Sequence, residues 1–278
     1  MSRTRALSSL ALIALTVVGG LALTGPASAQ TEQAAAPRVP ATAEQRAAYG
    51  RLDPLARSVF WSREVEVNPA DPVAGVKLAE ALRQLGQNDQ AVIAAQQVLV
   101  TQPQNVDAML EIGRAHIARG QAFYGIGALE QAKGLAPTDW RPLSLLGVAY
   151  QQVRRADDAR AAWNEALRLS PNNAEVLNNA AMAQMTGGDP SGAETLLRQA
   201  VAQPNASMQM RLNLAMALGL QGKIGEAEQI IRRDLPPDAA ERNLEWLRNQ
   251  TRQTATAGVA TDAVSPALVR TWSSLQGQ

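Results

Sequence analysis

The chain has no cysteine and only one histidine, His116, in 278 residues. Disulfides, thiol chemistry and a lipid attached through cysteine are therefore excluded. A lone imidazole without a second His is a poor metal site. Aromatic residues make up 4% of the chain. Neither sign of charge dominates, with 26 basic and 25 acidic residues and no long basic run, which argues against nucleic acid as the main partner. No Gly-x-x-x-x-Gly-Lys-Ser/Thr phosphate loop occurs. Gly125-x-Gly127 lacks a third glycine at the needed spacing and falls in a helical stretch. Asp157 and Asp158 are adjacent carboxylates, but neighbouring helical positions do not face each other. Asp157 instead marks the start of a helix. We expect no catalytic residue, no cofactor, no metal and no small-molecule substrate; the chain is not an enzyme.

What the chain has is a period. Leu143, Leu146 and Tyr150 share one face of a predicted helix. Ala159, Trp163 and Ala166 share one face of a second. Small residues at Gly147, Ala159 and Ala166 let the two backbones approach, and Trp163 fills the space beside them. Pro171 ends the second helix, because proline has no N–H to donate and clashes with the preceding turn. Stepping 34 residues back from Pro171 meets Pro137, Pro103 and Pro69. Gly86, Gly120, Gly188 and Gly222 fall in one turn register. Ala91, Ala159, Ala193 and Ala227 open the second helices. Asp71, Asn105, Asp139, Asn173 and Ser207 precede the first helices, and all five are good N-caps.

This pattern resembles the tetratricopeptide repeat, a 34-residue helix-turn-helix unit. The resemblance implies an all-α, right-handed superhelix with five repeats, at 72–105, 106–139, 140–173, 174–207 and 208–241. Residues 42–71 read as a degenerate N-terminal capping repeat. Thr42 and Gln45 suggest a capping box, and Asp53-Pro54 a second helix start. The second helix should carry Leu55, Val59 and Trp61. Beyond the repeats, Asp238 can begin another helix, and we expect a capping helix at 242–250 with Leu244 and Leu247 on one side. Residues 251–278 form a flexible tail in which Ser265-Pro266, Leu268, Trp272 and Leu275 mark either a frayed end or a short amphipathic helix that docks.

Residues 1–29 have the layout of a secretory signal. Arg3 and Arg5 precede an apolar stretch from Ala6 to Thr24, and Ala27-Ser28-Ala29 forms a cleavage site before Gln30. The expected location is the periplasm, with cleavage after Ala29 and a flexible leader at 30–41. The alternative is an uncleaved anchor, since the apolar stretch is near the ~17–25 residues needed to span a bilayer. Without 1–29 the charge count is 24 basic against 25 acidic. Within the repeats, Gly125 and Gly127 point either to close helix packing or to a flexible point. His116 takes the place of Tyr150 one repeat earlier and reads as a packing residue.

A closer resemblance lies toward the ends of the array. The segments at 53–64, 137–141 and 218–228, then Asp234-Leu-Pro-Pro237 and 243–248, resemble the TadD-type proteins of Flp (tight adherence) pilus assembly. The resemblance implies a non-catalytic scaffold that binds pilus or secretion-channel components. Such proteins are often lipoproteins, and this chain lacks the cysteine for that. Other readings of the same repeats are a general binding module for a cell-envelope complex, or a membrane-anchored chaperone if the signal stays uncleaved. The repeat family's geometry places groove-lining residues on the first helix of each unit. Here they would be Ser144, Val148, Gln151, Asn178, Asn179, Met182, Met185, Asn213 and Met216. The basic clamp that the family uses for chaperone tails is absent from these places. Asparagines can pair with a peptide backbone, and methionines adapt to varied apolar side chains. The expected ligand is an extended, largely uncharged protein segment. The alternative is that the asparagines only solubilise the groove and Met182 and Met185 pack internally.

Overall fold

The computed structural model describes residues 39–257, with side chains placed as far as Arg252. The signal segment and the amphipathic stretch at 265–278 lie outside the described residues. Thirteen helices and no strand occur among them. Two precede the repeats, α1 (Ala43–Tyr49) and α2 (Pro54–Val67). The repeats follow as α3 (Pro72–Gln84) with α4 (Asn88–Thr101), α5 (Val106–Ala118) with α6 (Phe123–Leu135), and α7 (Trp140–Gln152) with α8 (Ala156–Leu169). Then come α9 (Ala174–Thr186) with α10 (Pro190–Val201), α11 (Met208–Leu220) with α12 (Ile224–Asp234), and a final α13 (Pro237–Ala257).

The start signals work as their chemistry requires. The side chains of Asp71, Asn105, Asp139, Asn173 and Ser207 each accept a hydrogen bond from the first turn of the helix that follows. Thr42 and Gln45 form the reciprocal capping box, and Asp53 caps α2 ahead of Pro54. Gly86, Gly120, Gly188 and Gly222 adopt φ between 73° and 85° in the turn between paired helices. The third repeat makes the same left-handed turn with Arg154, at φ 63°. A side chain with a Cβ is strained there.

Inside each pair, small residues set the approach. A Cβ at Gly147 would lie 2.3 Å from the Trp163 ring, and one at Gly113, one period earlier, 2.4 Å from Leu129. Trp163 is buried and its indole N–H donates to the Ser144 carbonyl at 3.1 Å. Gly125 stands where other repeats have alanine; a Cβ there would lie 3.1 Å from the Gly113 Cα, so close packing accounts for it. Gly127 has open space beside it, and packing within the chain does not account for it.

Three expectations need correction. α2 turns Ser58, Trp61 and Glu64 inward, and Leu55 and Val59 face outward. The Glu64 carboxylate decides this: it accepts from the Ala41 N–H at 3.0 Å and pairs with Arg46 at 2.6 Å. Arg46 also pairs with Asp71 at 2.6 Å and lies over the Trp61 ring, and so ties α1 to the array. At the other end, α13 overruns the expected cap at 242–250. It begins at Pro237, inside what was expected as the fifth repeat, and continues through 251–257, which was expected as tail. Proline suits the first helical position. Leu247 packs on Gly219 and the Thr251 methyl lies beside Gly222, which holds the added turns against α11, while the Thr251 hydroxyl donates back to the Leu247 carbonyl at 2.6 Å. The third correction concerns the groove and follows from the geometry of its wall.

Candidate partner-binding groove

Consecutive first helices pack against one another along α3, α5, α7, α9, α11 and α13, and each second helix packs mainly on the first helices beside it. The wall whose helices touch is the shorter one, so the first helices form the inner surface.

On α7 and α9 the strip Val148, Gln151, Asn178, Asn179 and Met182 is half-buried and uncharged. The other four expected residues do not line the surface. Ser144 is 1% exposed and Asn213 3%, while Met185 and Met216 are fully enclosed. The reason is the stack itself. Met185 and Met216 belong to one apolar cluster shared by α9, α11 and α13. Ser144 sits between α7 and α9, where its hydroxyl accepts from the Asn179 amide at 3.4 Å. Asn213 donates to Asn178 Oδ1 at 2.8 Å and accepts from Gln209 at 3.0 Å. Gln151 donates to Thr186 Oγ1 at 3.0 Å. The amides thus form a ladder between neighbouring first helices, each rung joining residues 35 positions apart.

The earlier half of the inner wall differs. A cavity of about 300 Å³ over α3, α5 and α7 is lined by Val73, Lys77, Glu80, Glu111, Arg114 and Arg141, among others. Glu111 is buried between Arg83 at 2.9 Å and Arg114 at 2.6 Å. Arg141 bridges Asp139 at 2.6 Å and Asp107 at 2.9 Å. Burial pushes the Asp139 carboxyl up, but the hydrogen bonds from Arg141 outweigh it and hold it below its usual range. Glu80 is lowered likewise, burial being outweighed by Lys77. Sequence reasoning passed over this charged half, although Lys77, Glu80, Glu111 and Arg114 occupy the same repeat places as Asn179, Met182, Asn213 and Val148.

A profile of the tetratricopeptide repeat matches residues 76–139, 144–207 and 178–240. The chain belongs to the tetratricopeptide repeat family. It is similar to TTC0263, a thermophilic tetratricopeptide protein of Thermus thermophilus, at 22% identity and TM-score 0.56, over 63% of this chain and 94% of that one. It is similar to PilF of Pseudomonas aeruginosa at 18% identity and TM-score 0.55, over 67% and 87%. A third likeness, TM-score 0.62 at 14% identity, is to the APC/C Cut9–Hcn1 hetero-tetramer, over 82% of this chain and 43% of that one. These likenesses share the fold. No curated protein sequence matches the chain.

In this tetratricopeptide array the place held by Leu82 and Leu218 carries His116, Tyr150 and Gln184 in the three middle repeats. Tyr150 opens a crevice of about 350 Å³ with Glu130, Lys133 and Leu146 among its walls. Its hydroxyl donates to Glu130 at 2.6 Å, and Arg155 stacks over its ring at 4.4 Å. Burial, and then the hydrogen bond to Glu130, push the phenol up to about 12. His116 lies 6.0 Å from the Tyr124 ring and is shifted down, first by burial and then by Arg119. It packs; its Nδ1 is buried without a partner. Among the described residues no helix is long and apolar enough to cross a membrane.

Proposed function

We propose that the chain is an exported, periplasmic scaffold of Flp pilus assembly that holds an extended, uncharged segment of a pilus or secretion-channel component against α7 and α9. The observation that carries this reading is the strip Val148, Gln151, Asn178, Asn179 and Met182, which is partly open and bears no charge. Tetratricopeptide arrays are protein-interaction scaffolds, and the inner wall is where a continuous strip of this kind can follow an extended chain. The pilus assignment is supported by the resemblance of the end segments around Asp53, Pro137, Leu218 and Asn243 to TadD-type proteins.

Two measurements test it. Full-length protein carrying Asn179→Asp and Met182→Glu is used to capture partners from a periplasmic extract of the host, with mass spectrometry to identify them. The wild type should retain a prepilin or secretion-channel component at low and high salt. The variant should lose it while keeping its helical content by circular dichroism, with some loss of melting temperature because Met182 packs on the core and Asn179 bonds Ser144. Retention by the variant, or loss from the wild type at moderate salt, removes this strip as the site. Mass spectrometry of the chain recovered from cells should find Gln30 first; a chain beginning at Met1 overturns cleavage and leaves the anchored alternative.

A further inference from the structure

The outer surface of the array is uneven. Of the thirteen large apolar side chains exposed among the described residues, eleven precede Trp140. Six of them sit on the outward sides of α2, α4 and α6: Leu55, Val59, Ile93, Val100, Phe123 and Tyr124, each 61–75% exposed. The repeat aligns them, since Val59, Ile93 and Gly127 follow at one period, as do Leu55, Asp89 and Phe123. Between the apolar residues α4 presents Gln90, Gln96 and Gln97, while Asp89, paired to Arg119, stands in the place of Leu55 and Phe123, and Arg63 on α2 and Glu130 on α6 stand in the places of Gln97 and Gln96.

The fold does not require these residues. Phe123 and Tyr124 hold the places that Asp157 and Asp158 fill one repeat later, and Arg168 stands two periods after Val100. The same backbone thus carries charge there without difficulty. Gly127 and Gly134 also face outward with nothing near them. They leave the surface of α6 flat enough for another helix to approach.

We propose that this face pairs with the same face of a second copy about a twofold axis. A self-complementary surface must not repel itself. The glutamines of α4 meet that condition at the centre, and the charges around them, Arg63, Asp89 and Glu130, are of both signs. The area also suits a dimer. An aromatic side chain presents roughly 150–250 Å² and an aliphatic one somewhat less. Six of them at this exposure, with the glutamines between, offer on the order of 800 Å², the amount each partner contributes to a standard interface.

The test is light scattering on the purified full chain during size-exclusion chromatography. At ~50 µM, well above a micromolar dissociation constant, the wild type should run at twice the chain mass. Ile93→Asp with Phe123→Asp should run at the chain mass with unchanged melting, since both side chains are exposed. Gln199→Asp, on the outer side of α10, should leave the dimer intact. Ile93→Lys with Phe123→Lys should be single alone and return to double mass when mixed with the aspartate variant. A wild type at single mass throughout overturns the proposal, even if the face binds another protein. So does a dimer that survives the two aspartates, as one formed through residues ahead of 39 would.

Discussion

The first two repeats and the last three repeats are opposites in section. In residues 72–139 the inner wall is ionic, with Glu80 paired to Lys77, Glu111 to Arg83 and Arg114, and Asp107 to Arg141 of the next helix, and the outer wall is apolar, with Ile93, Val100 and Phe123 exposed. In residues 140–235 the inner wall is amide and apolar, and the outer wall carries Asp157, Asp158, Arg198 and Arg232. The interiors differ as well. The first repeat rests on small clusters of alanine, valine and isoleucine, such as Ala79, Ala95, Val98 and Ile112, while the second and third share a larger one around Leu110, Leu129 and Trp163. The last two rest on a large cluster running from Met185 through Leu218 to Leu247. One backbone unit serves both, because the repeat prescribes caps, turns and close approaches and leaves the two outward surfaces free.

Mutations can break or sharpen this contrast. The largest effect should come from Trp163→Ala, which empties the core of the third repeat. Loss of a buried large aromatic costs ~3–5 kcal/mol, and because repeats couple to their neighbours the loss should divide the array near 140–173. Urea melts followed by hydrogen exchange should show that segment opening first. A melt that barely moves would mean that the ring is not part of the packing that joins the two halves.

Next comes Glu194, which binds the later repeats together. Its carboxylate accepts from Lys223 at 2.6 Å, Gln221 at 2.8 Å and Arg198 at 2.9 Å. Burial pushes the group up, but these hydrogen bonds outweigh it and hold the pKa at about 2, against an ordinary 4.5. A depressed pKa stabilises the folded state fully above the ordinary value, and that contribution fades as pH falls through the folded one. Glu194→Gln should therefore cost about 2 kcal/mol at pH 7, the scale of hydrogen bonds to a charged group. Denaturant melts should show the gap to wild type closing between pH 4.5 and pH 2. A gap that stays constant with pH would assign the effect to packing alone.

A smaller change should follow from Arg154→Gly. It relieves the left-handed residue that the other four turns fill with glycine, and should raise stability by ~1 kcal/mol in the same melts. The smallest test sits in the early repeats. Gly127→Ala should gain roughly 0.5–1 kcal/mol, the usual helix preference for alanine over glycine, because nothing lies near its Cβ. Gly125→Ala should gain nothing, since its Cβ would press on Gly113. Equal gains at both would mean that α5 and α6 are less tightly packed than described.

Much of the frame was legible in advance because it follows from backbone demands. A free N–H needs an acceptor, which marked Asp71, Asn105, Asp139, Asn173 and Ser207. A left-handed turn favours glycine, which marked four turns and hid the fifth behind Arg154. Contact between helices needs small residues, which marked Gly147 and Ala159. The groove was legible only in part, because repeat places say which helix a residue is on, and burial depends on what stacks beside it. The place shared by Val148, Met182 and Met216 stays open at the first two but closes at Met216, where α13 covers α11. That cover was underestimated because Thr- and Ala-rich residues beyond 250 carry little helical pattern of their own. The inward face of α2 was missed because a buried Glu64 is unexpected until Arg46 and Ala41 are seen around it.

The amide rungs between first helices give the inner wall a mechanical character. Each rung, Ser144 to Asn179, Asn178 to Asn213 and Gln151 to Thr186, spans neighbouring helices on the side where the array is shortest. Opening the curve lengthens that side first, so the rungs carry the strain before the packed cores do. A hydrogen bond between polar groups exchanges with water at a net cost of about 1 kcal/mol, far less than the loss of a packed side chain. The rung from Gln151 to Thr186, half-buried at both ends, can therefore open and close again as the array flexes, while the rungs that end on buried Ser144 and Asn213 stay shut until the helices part.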